Sequence, residues 1–251
     1  MNEQQRAQLI SEIHTHHLGL GDDVKRMVNR LLEPSLPTPW MYVFELTQNA
    51  RDAGARRVSW TMANGALVLQ HDGTEVLEER HIRGLCAIRQ STKGAGAVGF
   101  MGVGFKSVFG RFGPVGVTDD RWQIRFTVEG AKNPYGKRVT DWFGALLPRV
   151  DSTLAPPDPG FTTRFELDQP LNRAGVLLDD LTKLVSIEDL TPLAVLALRG
   201  LEQIRVGKDL WNCRFDGDLV EVLRCTPQCA PCCARGGKSA SAVVCGRART
   251  A

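Results

Sequence analysis

Asn64-Gly65 stands between two strand-like runs, Arg57-Val58-Ser59-Trp60-Thr61-Met62 and Ala66-Leu67-Val68-Leu69-Gln70. A two-residue loop whose backbone matches strand twist needs positive φ at both central positions, and Asn-Gly accepts that at least cost. These residues therefore commit the middle of the chain to an antiparallel hairpin. What precedes it narrows the fold further. Phe44 to Asp52 reads F-E-L-T-Q-N-A-R-D, in which Tyr42 or Val43, Leu46, Ala50 and Ala53 recur at the helix period and form an apolar stripe for a core. Gly54 follows as a left-handed C-terminal cap. A helix, a glycine stop and a hairpin are thus expected in immediate succession.

The other stripe of that helix carries Glu45, Gln48, Asn49 and Asp52 at i, i+3, i+4 and i+7. By itself such a stripe is an ordinary solvated helix face, since short polar patterns are common. It also has the donors, acceptors and charge needed to hold a metal ion and a water. Two further segments favour the chemical reading. The second hairpin strand runs into His71-Asp72-Gly73, where the strand fixes a carboxylate and the glycine lets backbone approach closely; a plain turn is the alternative, because Asp-Gly favours turns too. After a short helix expected over Glu78 to Ile88 comes Ser91-Thr92-Lys93-Gly94-Ala95-Gly96-Ala97-Val98-Gly99-Phe100-Met101-Gly102-Val103-Gly104-Phe105-Lys106-Ser107. So many glycines break a helix or a strand, and suit a loop that turns peptide N–H groups toward phosphate oxygens before a helix from about Phe105.

Familiar phosphate loops do not match this run. A Walker loop started at Gly99 has its second glycine at Gly104, but Phe105 intervenes before Lys106. Gly94, Gly96 and Gly99 have dinucleotide-loop spacing, yet they follow Ser-Thr-Lys and not a strand. Gly237-Lys238-Ser239 fails because Cys232 stands where the first glycine belongs. Phosphate binding survives these tests and the P-loop fold does not.

Around this centre, Gln4 to Leu32 shows helical spacing of Leu9, Ile10, Ile13, Val24, Met27, Val28, Leu31 and Leu32, interrupted near Gly19 and Gly21. His14, His16 and His17 lie there without an acid or cysteine at useful spacing, so an exposed helix surface is favoured over a metal site. Pro34 to Pro39 is a rigid connector, with Thr38 and Pro39 suited to a helix start. Further strands are expected at Val115 to Thr118, Trp122 to Val128 and Thr163 to Leu167, with a long excursion over Asn133 to Gly160. A helical region spans Ala174 to Leu198, and Leu201 to Val206 and Asn212 to Phe215 close the sheet.

At 251 residues, with 43% hydrophobic and 24% charged residues, one main globular domain is expected. No apolar run reaches bilayer length and no secretory layout opens the chain, so a cytoplasmic location is expected. The net charge of +3 is concentrated at the end: five basic residues and no acid follow Glu221, which leaves the preceding part at −2 and argues against a nucleic-acid-binding body. Five of the seven cysteines also lie between Cys225 and Cys245. Cys229-x-x-Cys232 lacks a second spaced pair, so a disordered tail is favoured over zinc.

Three independent motifs now stand in one order: E-L-T-Q-N-A-R-D-A, then a strand ending in H-D-G, then S-T-K followed by G-x-x-G-x-G-F-K-S. The set resembles the ATP-binding domain shared by DNA gyrase, the large heat-shock chaperone, sensor histidine kinases and MutL (the GHKL superfamily). In look it is nearest the sacsin and plant NO VEIN type. Residues from about 35 to 170 carry the resemblance. It implies an α+β fold, a two-layer α/β sandwich of the Bergerat type, with a mixed, mostly antiparallel sheet covered on one face by helices. It implies ATP and Mg²⁺ as cofactors. Glu45 matches the base that activates water, Asn49 the Mg²⁺ ligand, and Asp52 an electrostatic support. Asp72, followed by Gly73, matches the carboxylate that accepts from the adenine amino group, and Thr163 the threonine that closes the adenine pocket. Gly99, Gly102 and Gly104 match lid glycines, with Lys106 nearby as a cation. Ser91, Thr92, Lys93, Val103 and Phe105 fall within the same nucleotide-binding motifs. The chain departs from the usual D-x-G-x-G in Asp72-Gly73-Thr74-Glu75-Val76, and Thr162 replaces the usual glycine before the pocket threonine.

The expected organisation is an N-terminal helical segment over 1–34, the ATP-binding domain over 35–217 and a Cys-rich basic tail over 218–251. The expected function is Mg-ATP binding with weak hydrolysis, as the nucleotide-driven module of a chaperone-like or remodelling protein. A nucleotide-regulated interaction domain without useful catalysis is the alternative. ATP and ADP, a client protein or further domains, and a second copy in a nucleotide-dependent homodimer are the partners implied; a membrane is not.

Overall fold

A computed structural model of the protein describes residues 2–23, 26, 41–87, 105–127, 147–169, 184–185, 198–216 and 219–225. The chain begins with α1 (Glu3–Leu18), whose Asn2 side chain accepts from the Gln5 backbone N–H while Gln5 returns the bond, a reciprocal cap for two orphan donors. Gly19 ends this helix, where an interruption was expected; most of 24–32, the Pro34 to Pro39 connector and most of Ala174 to Leu198 lie outside the described residues. Next come α2 (Met41–Asp52), β1 (Arg57–Ala63), β2 (Ala66–His71), α3 (Glu79–Cys86) and a 3-10 helix (Phe105–Gly110). The remaining described elements are strands: β3 (Val115–Thr118), β4 (Gln123–Phe126), β5 (Pro148–Val150), β6 (Thr163–Leu167), β7 (Gln203–Val206), β8 (Asp209–Asp216) and β9 (Leu219–Cys225).

These strands form one mixed sheet in the order β5-β4-β3-β6-β2-β1-β7-β8-β9. Only the β1–β7 pairing is parallel; the other neighbours run antiparallel. The fold is therefore α+β with a mixed, mostly antiparallel open sheet. The hairpin turns where expected: Asn64 and Gly65 have φ of 52° and 78°, and Ala63 pairs with Ala66. Gly54 caps α2 at φ 77°.

Strand alternation sorts the sheet into two faces. Val58, Trp60, Leu69, Leu67, Phe165, Leu167, Val115, Val117, Ile124 and Phe126 share one face by register. They join one core with Leu9, Ile10 and Ile13 of α1, Tyr42, Val43, Leu46 and Ala50 of α2, and Ile82 of α3. The Tyr42 ring meets Phe112 edge-to-face at 4.9 Å, and its hydroxyl donates to the Leu184 carbonyl. His17, the last histidine of the N-terminal cluster, is buried, and burial pushes its imidazole down to about 4; His14 donates to the Pro148 carbonyl at 2.6 Å.

The opposite face carries Ser59, Gln70, Arg164, Glu166 and Arg125, and it is covered by residues 151–161. Gln70 and Asp158 exchange two bonds, side-chain amide to carboxylate and backbone N–H to amide oxygen, both at 2.7 Å. Arg125 bridges Asp151 and Asp168. Leu154 fills the gap over Gly116 on β3, where a Cβ would lie 2.4 Å from its methyl.

Three expectations are corrected here. The excursion over Asn133 to Gly160 includes an edge strand, β5, whose three residues pair with β4. The region from 218 does not begin as disordered tail: Leu219–Cys225 pairs with β8 from end to end. Its alternation, L-V-E-V-L-R-C, is a strand pattern overshadowed by the cysteines that follow. The helix expected from Phe105 is a short 3-10 segment.

Candidate functional site

α2 is buried on more than its apolar side. Tyr42, Val43, Leu46 and Ala50 are in the core as the period requires, but Glu45 and Gln48 on the polar stripe are buried too, and Asn49 and Asp52 are half-buried. The stripe is thus not a solvated helix face. Among the described residues the Gln48 Nε2 is buried with no hydrogen-bond partner, a costly condition for an amide.

The last turn of α2 is seated on the end of β2. A Cβ at Gly73 would lie 2.8 Å from the Ala53 carbonyl oxygen and 2.9 Å from His71 Nδ1, and one at Gly54 would lie 2.9 Å from Thr74 Oγ1. The Glu75 N–H donates to the Ala53 carbonyl at 3.1 Å. Only glycine permits this approach at position 73, which brings the end of the Glu45–Asn49 helix and the Asp72 strand end together.

Across the sheet, Thr163 is the direct partner of His71. Both are buried on the helix-covered face, and Phe165 stands 6.2 Å from the His71 ring. His71 Nδ1 accepts the Gly73 N–H at 3.1 Å, so the neutral ring carries its proton on Nε2. Burial pushes this imidazole down to about 4 against the pull of Asp72, and it is neutral at physiological pH. Thr162, which precedes Thr163, has a definite task. Its hydroxyl donates to the Gly73 carbonyl at 2.6 Å, and its N–H donates to the His71 carbonyl at 2.9 Å.

Asp72 is more heavily engaged than its sequence position suggests. Its Oδ1 accepts the backbone N–H groups of Arg56 and Arg57 at 2.9 and 2.7 Å, and Oδ2 accepts Arg57 Nε–H at 2.7 Å. Burial by itself would raise the carboxyl, but Arg57 and the two amides outweigh it and hold the group below the usual carboxylate range. Asp72 is an ionised acceptor, fixed in orientation. Asp52 is paired with the adjacent Arg51, so its charge is partly offset.

Two residues of the glycine-loop motif take positions other than those expected. Lys106 is a buried core cation: its ammonium donates to the Leu85 carbonyl at 2.8 Å, at the C-terminal end of α3 where a helix favours positive charge. Burial pushes it down to about 8, opposed by the Cys86 thiol. The expected role as a phosphate cation gives way to this anchoring one. Phe105 packs among Phe109, Phe126 and Phe165 at 5.3 to 6.4 Å between ring centres, as part of the core. Ser91, Thr92, Lys93, Gly99, Gly102, Val103 and Gly104 lie outside the described residues.

No protein-family model matches the chain, and no curated protein matches it either.

Among the described residues, no group of three His, Cys, Asp or Glu side chains could hold a metal ion by itself. Among the same residues, no helix is long and apolar enough to cross a membrane.

The residue missed in the sequence is Arg57; Thr162 and Gln48 were noted there but given no role of their own. Arg57 opens β1 beside the end of β2, so a basic residue facing Asp72 was in principle readable from the hairpin register. Nothing in the sequence distinguished Gln48 from a solvated amide.

Proposed function

We propose that the chain is an Mg-ATP-binding domain of the Bergerat type, with weak hydrolysis, working as the nucleotide-driven module of a larger chaperone-like or remodelling activity. One observation carries this reading: the last turn of the helix bearing Glu45, Gln48 and Asn49 is seated on Asp72-Gly73, with Thr163 one strand away. The motifs come from separate parts of the sequence, and a fold that scattered them would have removed the basis for the reading.

Each end of this arrangement has its own chemistry. An ionised, oriented Asp72 accepts a hydrogen bond from an exocyclic amino group and repels a carbonyl oxygen in the same place, which favours adenine over guanine. Thr163, buried beside His71, closes the base pocket. The Asn49 amide oxygen is a ligand for magnesium carried in with the triphosphate, and Glu45 is placed one helical turn away to orient water. Phosphoryl transfer to water asks mainly for charge neutralisation and a positioned nucleophile, so this set is chemically sufficient.

Calorimetric titration with ATP, with and without Mg²⁺, followed by single turnover of labelled ATP, tests the proposal. Saturable Mg-dependent binding with slow phosphate release is expected. Binding without phosphate release would instead identify a nucleotide-regulated interaction domain, and absence of binding would end the proposal.

A further inference from the structure

The histidine cluster of α1 has no part in the proposed nucleotide chemistry, yet two of its members fasten the helix. His14 donates to the Pro148 carbonyl of β5 at 2.6 Å, and the buried His17 ring is bonded to the backbone of Cys86, the last residue of α3. The neighbouring carbonyl, that of Leu85, accepts from the Lys106 ammonium at 2.8 Å. One buried helix end thus receives two basic side chains, one from α1 and one from the 3-10 helix.

α1 is otherwise held by side chains. Leu9, Ile10 and Ile13 enter the core, Glu12 pairs with Arg83, and the Arg6 guanidinium donates to the Arg121 carbonyl. Among the described residues no backbone–backbone hydrogen bond joins α1 to another element. A terminal helix attached in this way can open as a unit without breaking the sheet.

The groups around His17 offer little to a further positive charge. His14 and His16 flank it on α1, the latter with its ring 5.3 Å away, and Lys106 faces it from the 3-10 helix. On α3, burial pushes the Cys86 thiol up to about 12, so it is neutral, and Arg83 takes both Glu12 and Glu79. Arg149 of β5 belongs to the other sheet face, where it stands opposite Arg125, and Asp22 and Asp23 beyond the helix are exposed. Burial and the three basic neighbours outweigh the bond to Cys86 and push the His17 imidazole down to about 4.

We propose that α1 is an acid-released element: protonation of His17 beside Lys106 frees the helix from the end of α3 while the sheet stays folded, and uncovers the stripe of Leu9, Ile10 and Ile13. The proposal is independent of nucleotide binding. Above pH 6.5 the neutral ring leaves the docked helix intact. As pH falls toward 4, the undocked helix takes up the proton before the docked one does, and docking weakens across that window.

Hydrogen–deuterium exchange of the full chain at pH 7 and pH 5, corrected for the intrinsic pH dependence of exchange, tests this. Amides of α1 should exchange before those of the Asn64-Gly65 hairpin at both values, and their protection should fall about twentyfold on acidification, the loss set by one proton and the two His17 values. His17→Gln should reduce that fall to about threefold or less. Lys106→Met, which removes the neighbouring charge, should fall less than the unaltered chain. If His17→Gln does not fold, an NMR titration of the His17 ring in the unaltered chain takes its place: a midpoint near 4 supports the proposal and one near 6.5 overturns it. Exchange of α1 only together with the hairpin overturns it, because the helix then leaves only with the whole domain. An equal acid loss in His17→Gln, or one in Lys106→Met as large as in the unaltered chain, overturns it as well.

Discussion

Gly73 lies against Ala53 so closely that a side chain on the former would come within 2.8 Å of the latter's carbonyl oxygen. The conflicting atom is backbone, immediately after the end of a buried helix, and cannot swing away as a flexible side chain can. Gly73→Ala should therefore destabilise the fold by ~1–3 kcal/mol, the usual range for overpacking. It should also displace Asp72 from the end of α2. Urea unfolding measures the first effect and ATP titration the second. An unchanged midpoint would mean that the helix and strand end are not in this contact.

The outer sheet face supplies a second steric pair. Gly116 leaves the space that Leu154 occupies, a Cβ there lying 2.4 Å from a Leu154 methyl group. Gly116→Ala should cost ~1 kcal/mol because the opposing atom ends a side chain and can shift. Leu154→Ala, which empties a buried site, should cost ~2–4 kcal/mol. The double variant should be less damaged than the two losses added together, with a coupling of ~0.5–2 kcal/mol. Strict additivity would separate residues 151–161 from the sheet.

Much of this frame was legible because local rules agreed with the tertiary outcome. Asn64-Gly65 demanded a hairpin and Gly54 demanded a stop, and nothing nearby opposed them. Leu46 and Ala50 likewise identified the buried side of α2. Burial of Glu45 and Gln48 was not legible, because helical periodicity assigns one face to the core and is silent about a second cover. Lys106 escaped for a related reason: a lysine within a glycine-rich motif reads as an exposed cation, and only α3 arriving with the Leu85 carbonyl explains its burial. The pairing of β9 was hidden by composition, its alternation standing immediately before a cysteine-rich stretch. The engagement of Asp72 by Arg57 was not legible, because it depends on side-chain placement that motif spacing does not encode.

Burial of Lys106 has a measurable pH signature. Its folded pKa of about 8 lies below the ordinary 10.5, so between these values the unfolded chain holds more protons than the folded one. Stability contributed at this position therefore rises as pH increases through that window, and it is lowest when the ammonium is charged in both states. Lys106→Met has no such titration. Urea midpoints at pH 7 and pH 9.5 should show the unaltered chain gaining ~1–2 kcal/mol relative to Lys106→Met over that interval. Parallel pH profiles would place the ammonium in water.

His71 gives the complementary acid signature. Its folded value of about 4 lies below the ordinary 6.5, because burial opposes the imidazolium. The neutral ring's contribution is complete above pH 6.5 and is lost progressively as pH falls toward 4, where the folded state begins to accept the proton as well. His71→Asn keeps an acceptor for the Gly73 N–H and removes the titration. Between pH 7 and pH 4.5 the unaltered chain should lose ~1–3 kcal/mol more than this variant. His17 titrates in both proteins and drops out of the comparison. Equal losses would put the His71 ring outside the buried face beside Thr163.

Binding and turnover separate at Glu45. On the proposed reading Asn49 and Asp72 would hold opposite ends of the nucleotide, and Glu45 would serve only the attacking water. Glu45→Ala should thus leave Mg-ATP affinity within about threefold of the unaltered chain and lower single-turnover phosphate release by ~10²-fold or more, the range for loss of a positioned general base. Asp72→Asn should do the reverse. It replaces an acceptor by an amide able to point a donor at the adenine amino group, and ATP affinity should fall at least about tenfold. Its residual turnover per bound nucleotide should remain near normal. Isothermal titration and rapid-quench measurement on both variants distinguish these outcomes. If Glu45→Ala abolishes binding, the carboxylate supports the helix and not the water. If Asp72→Asn leaves affinity intact, its three observed bonds are its whole function and adenine must be read elsewhere.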